Sequence, residues 1–346
     1  MNRAGRERRL ISRLTRAAGV GATLLTVAVI AGCAASGTAR VSGSGVTRPT
    51  AAHETTNRET TNREATVAKT AAKAKSQAAT DASCNPYASS LAPNGPATVS
   101  SGSFAAKIRA RGYLIAGVDQ TTYDFGFLNP LDNKIEGFDI DMVDAVAEAI
   151  FGPGYQSHLY LKAIRNADRI QDLENGSVDI VADTMTINCA RLQQIDFSSV
   201  YYNAQAKLLV LKNSKATDLR DLAGQKVCAV TGADDIAIIQ RYHATPVTPT
   251  YWTDCLVDLQ QGQVAGIVTD DSILHGLAAQ DPYTKIVGPS LEAEPYGLGI
   301  SRQHPDFVRF VNAVLTEIES SGQWQADYRQ WVGAPVPSPP VPRYAG

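Results

Sequence analysis

The chain has 346 residues, 44% of them hydrophobic, and 32 Lys and Arg nearly balance 34 Asp and Glu for a formal net charge of −2. That length is ample for one large core or two modest ones. Near-neutral charge, with no basic stripe beyond the first residues, leaves no electrostatic case for a nucleic-acid partner.

The N-terminus reads as an export signal. Arg3, Arg6, Arg8, Arg9, Arg13 and Arg16 form a positive region, followed by the uncharged run AAGVGATLLTVAVIAG at 17–32. The run is shorter than the ~18–20 apolar residues of a membrane-spanning helix. It ends in VIAGC, which looks like a bacterial lipobox: Ile30, Ala31 and Gly32 precede Cys33, whose thiol would carry diacylglycerol. Two or three acyl chains anchor stably where one is marginal. The expected location is therefore the extracytoplasmic face of the cell membrane, with a plain secreted protein, or a signal anchor with an incidental cysteine, as the alternatives.

After this signal peptide (1–32), residues 33–100 read as the lipidated cysteine and a flexible tether. The segment is rich in Ala, Ser, Thr, Gly, Asn and charge, and repeats itself in ETTNRETTNRE at 54–64. With hardly any large apolar side chain it cannot offset the entropy of ordering. Residues 335–346 read as a proline-rich tail, which leaves a folded part of about 101–334.

Apart from Cys33, the cysteines are Cys84, Cys189, Cys228 and Cys255. An even number in an exported chain suggests two disulfides, with three connectivities open. No pair stands at CxxC spacing, and His53, His158, His243, His275 and His304 are scattered singly, so neither a metal nor another cofactor is expected.

Within the folded part, strand-like and helix-like patterns alternate. GYLIAGVDQ (112–120) is a short apolar strand with a polar end. GFDIDMVDAVAEAIFG places Phe138, Met142, Ala145, Val146 and Ala149 at helical spacing, with a start at Asp139 and a stop at Gly152. HLYLKAI is a strand, ADRIQDLENG a short helix, and VDIVADTMTI a strand. The second half continues with AKLLVLK (strand), TDLRDLAG (short helix), QKVCAVTG (strand), DDIAIIQRY and CLVDLQQGQ (helices) and VAGIVTDD (strand). EPYGLGIS and a long amphipathic helix over 306–331 close it. Such alternation argues for mostly parallel, doubly wound sheets. Open α/β sheets bind ligands beyond their strand ends, and VDQTT, TMTINCAR, VTGADD and VTDD are four polar ends that could share one cleft.

Taken in order, GYLIAGVD, GFDIDMVDAVAEAI, RIQDLENGSVDIVADTMTINCAR, IDFSSVYY, LRDLAGQKVCAVTG, LQQGQVAGIVTDDSIL, EPYGLGIS and GQWQADYRQWVG resemble the family 3 extracellular solute-binding proteins, the polar-amino-acid receptors of ABC importers. The likeness is nearest in style to glutamate-binding lipoproteins. It implies a periplasmic-binding-protein-like type II fold: two doubly wound α/β lobes joined by a two-segment hinge and closing on ligand. Lobe 1 would comprise 101–200 plus 295–334 and lobe 2 207–293, with hinge segments at 201–206 and 293–297.

The resemblance also implies a site. Arg191, following the TMTINCAR run, would fork onto an amino acid's α-carboxylate, a geometry lysine cannot copy. Thr186 and the backbone at Thr184 would add bonds. Asp270, from the other lobe, would take the α-ammonium, and backbone N–H groups near Thr231, Gly232 and Ala233 would help hold the carboxylate. Phe125, with Tyr123 and Phe127 beside it, could wall the ligand's stem. Arg169 would meet a side-chain carboxylate, with Arg165 and Lys207 behind it. Glutamate or aspartate is the leading ligand. Glutamine or asparagine is second, supported by Asp119 as an amide acceptor. Ala233 stands where relatives often carry Thr, and Ala265 where Asp is usual. The same picture pairs Cys228 with Cys255 and Cys84 with Cys189.

An enzyme has to be weighed, because some relatives of the fold are dehydratases or lyases, but it is the less favoured reading. The sequence holds no GxSxG, HExxH or P-loop, and Asp139 and Asp141 stand at a helix start. The expected partners are an acidic or amide amino acid and an ABC permease or, alternatively, a membrane-embedded sensor protein.

Overall fold

The computed structural model describes residues 84–345. The export signal, the lipobox cysteine and the tether up to residue 83 lie outside the described residues. Among the described residues no helix is long and apolar enough to cross a membrane.

The chain enters with helix α1 (Phe104–Arg111), capped by the Ser103 hydroxyl, and strand β1 (Leu114–Val118). A hairpin sheet follows from β2 (Thr121–Thr122), β3 (Gly126–Asn129) and β4 (Lys134–Glu136). Helix α2 (Phe138–Phe151), strand β5 (Leu159–Ala163), helix α3 (Arg169–Glu174) and strand β6 (Ile180–Ala182) come next. The short helix α4 (Cys189–Leu192) and strand β7 (Asp196–Phe197) complete this stretch. The sheet order is β5-β1-β6, all parallel, extended by β13 (Gly299–Ile300) and β7.

This sheet has a core on each face because successive strand residues point opposite ways. Ile180 and Ala182 of β6 join Phe138, Val146 and Trp324 on one side, whereas Val181 joins Leu173, Met185 and Ile195 on the other. Burying such a side chain contributes about 1.5–3 kcal/mol.

The long strand β8 (Tyr202–Leu211) leads into the second lobe and β12 (Thr284–Tyr296) returns from it. Between them lie β9 (Lys226–Cys228), α5 (Asp235–Arg241), β10 (Thr245–Val247), α6 (Trp252–Gln260), β11 (Gly266–Asp270) and α7 (Asp271–Gln280). Their sheet order is β10-β9-β11-β8-β12. β8 and β12 pair antiparallel from Thr284↔Leu211 to Tyr296↔Tyr202, with an irregularity between Val287 and Glu292. The two chain crossings between lobes are thus one hydrogen-bonded ribbon.

The expected helix over 306–331 is two helices, α8 (Pro305–Ser321) and α9 (Gln323–Trp331). Gly322 separates them at φ 85, a left-handed conformation open to glycine at little cost. TDLRDLAG forms only a 3-10 turn, Leu219–Leu222.

The expectation that 33–100 is tether throughout needs correction at its end. The Ser90 hydroxyl donates to the Phe197 carbonyl, Asn312 donates to Ser90 and to the Leu91 carbonyl, and Arg309 donates to the Ala92 carbonyl. The C-terminal tail is also held, since Ala345 N donates to the Ser90 carbonyl. Two disulfides close, Cys84–Cys189 and Cys228–Cys255. That is the pairing the resemblance implies among the three open by count.

Candidate functional site

The lobes meet where strand ends β1 and β6 of one face strand ends β9 and β11 of the other. Their approach is tight. A Cβ on Gly232 would lie 2.6 Å from the Ala167 backbone, and one on Gly276 would lie 3.1 Å from Tyr123. Gly232 is at φ +89 as well, so the lobe-to-lobe contact depends on glycine twice over.

Arg191 is placed by its own short helix. Asn188 caps α4, its Oδ1 accepting from the Arg191 amide at 2.9 Å, and Cys189 is fixed by its disulfide. The guanidinium is buried. Its Nη1 donates to the Thr186 carbonyl at 2.7 Å, while Nη2 points across the cleft to Asp234 Oδ1 at 3.3 Å and the Gly232 carbonyl at 3.4 Å. Asn188 Nδ2 donates to the other Asp234 oxygen at 2.8 Å.

Asp270 ends β11 and accepts from the Tyr296 hydroxyl at 2.5 Å, which is itself 2.6 Å from the Ser272 hydroxyl. Two unanticipated carboxyls, Asp235 and Glu294, join it. One oxygen from each of the three lies within 4.8 Å of the others, and the three residues are 5% exposed or less. Burial, reinforced by the neighbouring charges, pushes Asp270 up to about 8, Glu294 up to about 9, and Asp235 well above the carboxylate range. Thr186 supplies a side-chain hydrogen bond to Glu294, and so touches both halves of the site. Among the described residues Asp235 Oδ1 has no hydrogen-bond partner, although Thr269 lies close enough to lower the carboxyl's proton affinity. A group carrying several N–H donors and a positive charge answers all three carboxyls at once.

The other expected residues are placed differently. The N–H groups of Thr231 and Ala233 are bonded to the carbonyls of Pro249 and Val230, which leaves the Gly232 N–H as the amide of this turn that could meet an anion. The Thr231 hydroxyl donates to the Thr248 carbonyl. The turn presents the Gly232 carbonyl instead, which accepts from both Arg169 and Arg191. The Thr184 amide donates to Asp139 at 2.6 Å, in a backbone at φ 40; Asp139 also accepts from Tyr201 and is pushed by burial up to about 7. Asp119 accepts from the amides of Gln120 and Thr121 and from the hydroxyls of Thr121 and Thr122, closing its own turn. Phe125 belongs to the lobe 1 core, edge-on to Phe138 and Tyr202.

Arg169 is at the cleft but committed. It donates to the carbonyls of Asn166, Asp183 and Gly232, and its Nε is 3.8 Å from an Asp183 oxygen. Asp183, almost wholly buried, has no hydrogen bond to either carboxyl oxygen among the described residues, so the guanidinium opposite is its counter-charge. Arg165 is paired with Asp168 at 2.6 Å on the surface. Of the helix-start acids, Asp141 accepts from Trp331 Nε1 and Asp139 is occupied as above. His275 is exposed on α7.

Sequence reasoning missed Asp234, Asp235 and Glu294. The signal was present in VTGADD and in AEPYG, as acids immediately beside a strand end and a hinge. Consecutive acids at a helix start are ordinary, however, because they suit the helix dipole.

The family model for bacterial extracellular solute-binding proteins, family 3, matches residues 114–334. The chain is 32% identical over 230 residues to an ABC transporter glutamine-binding protein of Bacillus subtilis, covering 66% of this chain and 84% of that one. It is 34% identical over 206 residues to a glutamine-binding protein of Geobacillus stearothermophilus, covering 59% and 78%. Among solved structures, an ancestral arginine-binding protein bound to arginine superposes with a TM-score of 0.60 at 29% identity, covering 64% of this chain and 99% of that one.

Proposed function

This chain belongs to the bacterial extracellular solute-binding proteins of family 3, and on that premise we propose that it is a receptor which closes two lobes on a zwitterionic amino acid and hands it to an ABC importer. The observation that carries this reading is the opposition of charge across the cleft. Arg191 stands on lobe 1, and the Asp235, Asp270 and Glu294 carboxyls stand on lobe 2 and its hinge strand. An α-carboxylate on the guanidinium and an α-ammonium among the carboxyls would engage both lobes together. A ligand that contacts both favours the closed form by its differential affinity.

The charge balance also bears on the side chain. Arg169 is occupied by three carbonyls and Asp183, so a second ligand carboxylate would enter a cleft already rich in Asp and Glu. Burying it unpaired would cost several kcal/mol. We therefore place an amide side chain, with glutamine foremost, ahead of glutamate and aspartate, in agreement with the names of the two relatives above. The acidic excess makes a cationic side chain such as arginine the second reading.

Anchoring through Cys33 belongs to the same proposal. Its test is labelling of the protein by a clickable fatty acid in growing cells, lost in Cys33→Ala. The ligand reading is tested by titration calorimetry with glutamine, asparagine, glutamate, aspartate and arginine. Glutamine is expected to bind tightest and Arg191→Ala to abolish binding. Glutamate binding more tightly than glutamine would refute the side-chain assignment, and undiminished affinity in Arg191→Ala would refute the site. Copurification from membranes with a permease, rather than with a sensory membrane protein, tests the importer role.

A further inference from the structure

We propose that Asp234 is a resident carboxylate that holds the fork of Arg191 until the ligand's own carboxylate displaces it, so that this residue lowers the receptor's affinity while clasping the lobes together. The inference rests on the reading of Arg191 given above and adds a competitor to it.

Asp234 does not act as its position would suggest. It is the N-cap residue of α5, and aspartate is among the preferred caps, yet its side chain makes no capping bond. The carboxylate crosses to lobe 1 instead. One oxygen accepts from Asn188 Nδ2 at 2.8 Å and lies 3.3 Å from Arg191 Nη1, and the other lies 3.3 Å from Arg191 Nη2. Two oxygens against two guanidinium nitrogens is the arrangement in which a free carboxylate would be taken.

Its surroundings match those of a zwitterion's acidic end. The Asp234 charge is among the causes that raise the proton affinities of Asp270, Asp235 and Glu294. Asp234 is thus bonded to the guanidinium and is near enough to the carboxyl cluster for its charge to be felt there. The hold on it is loose. Both arginine contacts exceed the ~2.7–2.9 Å of a strong charge-assisted bond, and the side chain is 31% exposed against 8% for that of Arg191. The tighter bonds of Arg191, to the Thr186 carbonyl and the Asn188 side chain, stay within lobe 1. Arg191 thus keeps its place when Asp234 leaves.

The sign of the effect follows. A clasp that the ligand must break stabilises only the protein without ligand, so removing it raises the energy of that state alone and tightens binding. An ion pair this long and partly exposed contributes less than a short charge-assisted bond, so its loss should change Kd by a few-fold.

The experiment is calorimetric titration of L-glutamine into the full chain in detergent, for wild type, Asp234→Asn, Asp234→Ala and Arg191→Ala. Hydrogen exchange at 230–235 and 166–169 is followed without amino acid. Both Asp234 variants are expected to bind about threefold or more tightly, and to exchange faster at the two segments. Unchanged or weaker binding in both, with binding lost in Arg191→Ala, would overturn this inference and leave the site standing. Undiminished binding in Arg191→Ala would overturn the site and this inference with it. Asp234→Asn preserves shape, so it keeps the test open should Asp234→Ala fail to fold.

Discussion

Raising the pH from 5 to 8 should tighten amino-acid binding and reduce the number of protons released with it. The cause is the Asp235, Asp270 and Glu294 cluster. Around it lie Asp234 beside Asp235 on α5, Asp271 beside Asp270, Glu292 and Tyr296 on β12, and Arg191 from lobe 1. Burial and these acids raise Asp270 to about 8 and Glu294 to about 9, against the pull of Arg191 and the Tyr296 hydroxyl on Asp270. At pH 7 a group titrating near 8 is about nine-tenths protonated. An ammonium entering the cluster needs one ionised carboxylate, and Asp270 has the lower of the two values, so each ligand bound should expel about one proton at pH 7. Kd should then fall about tenfold per pH unit between 5 and 7 and level off near 8. Titrating L-glutamine in buffers of different ionisation enthalpy reads the proton count as a slope. The folded-state values lie above the ordinary carboxylate range, so without ligand the same groups stabilise the fold fully only below about pH 4. Their contribution declines progressively above pH 4 and is gone once pH has passed 8 and 9, so the melting temperature of the ligand-free protein should fall between about pH 4 and 9. A flat Kd from pH 5 to 8 with no proton exchange would refute the placement of the ammonium.

Three further outcomes are expected. Gly232→Ala puts a methyl group against the Ala167 backbone and strains a left-handed residue, so glutamine affinity should drop about tenfold or more while far-UV circular dichroism is unchanged; full affinity would show that the lobes need not close this tightly. Arg169→Met leaves Asp183 buried without its counter-charge and should cost about 3–5 kcal/mol in urea denaturation, with the preference for glutamine over glutamate retained; a switch in preference without loss of stability would return Arg169 to the ligand. Opening Cys228–Cys255, which spans 27 residues, by paired serine substitution should lower stability by about 3 kcal/mol, measured as a shift in the denaturant midpoint; no shift would imply that the reduced chain is already constrained there.

The parts of the fold that were legible in the sequence are those whose periodicity has room to show. α2 spans 14 residues with Phe138, Met142 and Val146 on its buried face, and β11 is buried throughout, so each carries its own pattern. The hairpin strands β2, β3 and β4 are two to four residues long, too short for an alternation to be distinguished from a loop. β12 escaped for another reason: TKIVGPSLEAEPY contains two prolines and an irregular stretch, and its partner β8 is more than seventy residues away, as in Thr284↔Leu211. The anchoring of 84–100 depended likewise on distant partners, above all Asn312, which composition cannot reveal.

The site divides in the same way, between chemistry carried by residue type and chemistry fixed by direction. Arginine after a strand end and aspartate at the end of another are recognisable as a pair for a zwitterion, and the structure brings Arg191 and Asp270 to one cleft. Whether a guanidinium faces ligand or protein is decided by its neighbours, and Arg169 turns to three carbonyls that no motif announces. The same turn that was expected to donate amides presents the Gly232 carbonyl and the Asp234 carboxylate instead. A turn that presents acceptors disfavours a carboxylate, so on the proposed reading the ligand's acidic end falls chiefly to Arg191, in competition with Asp234. If both proposals hold, the selectivity for one end of the ligand and the tightness of the unliganded clasp act through one guanidinium, and neither can be altered without moving the other.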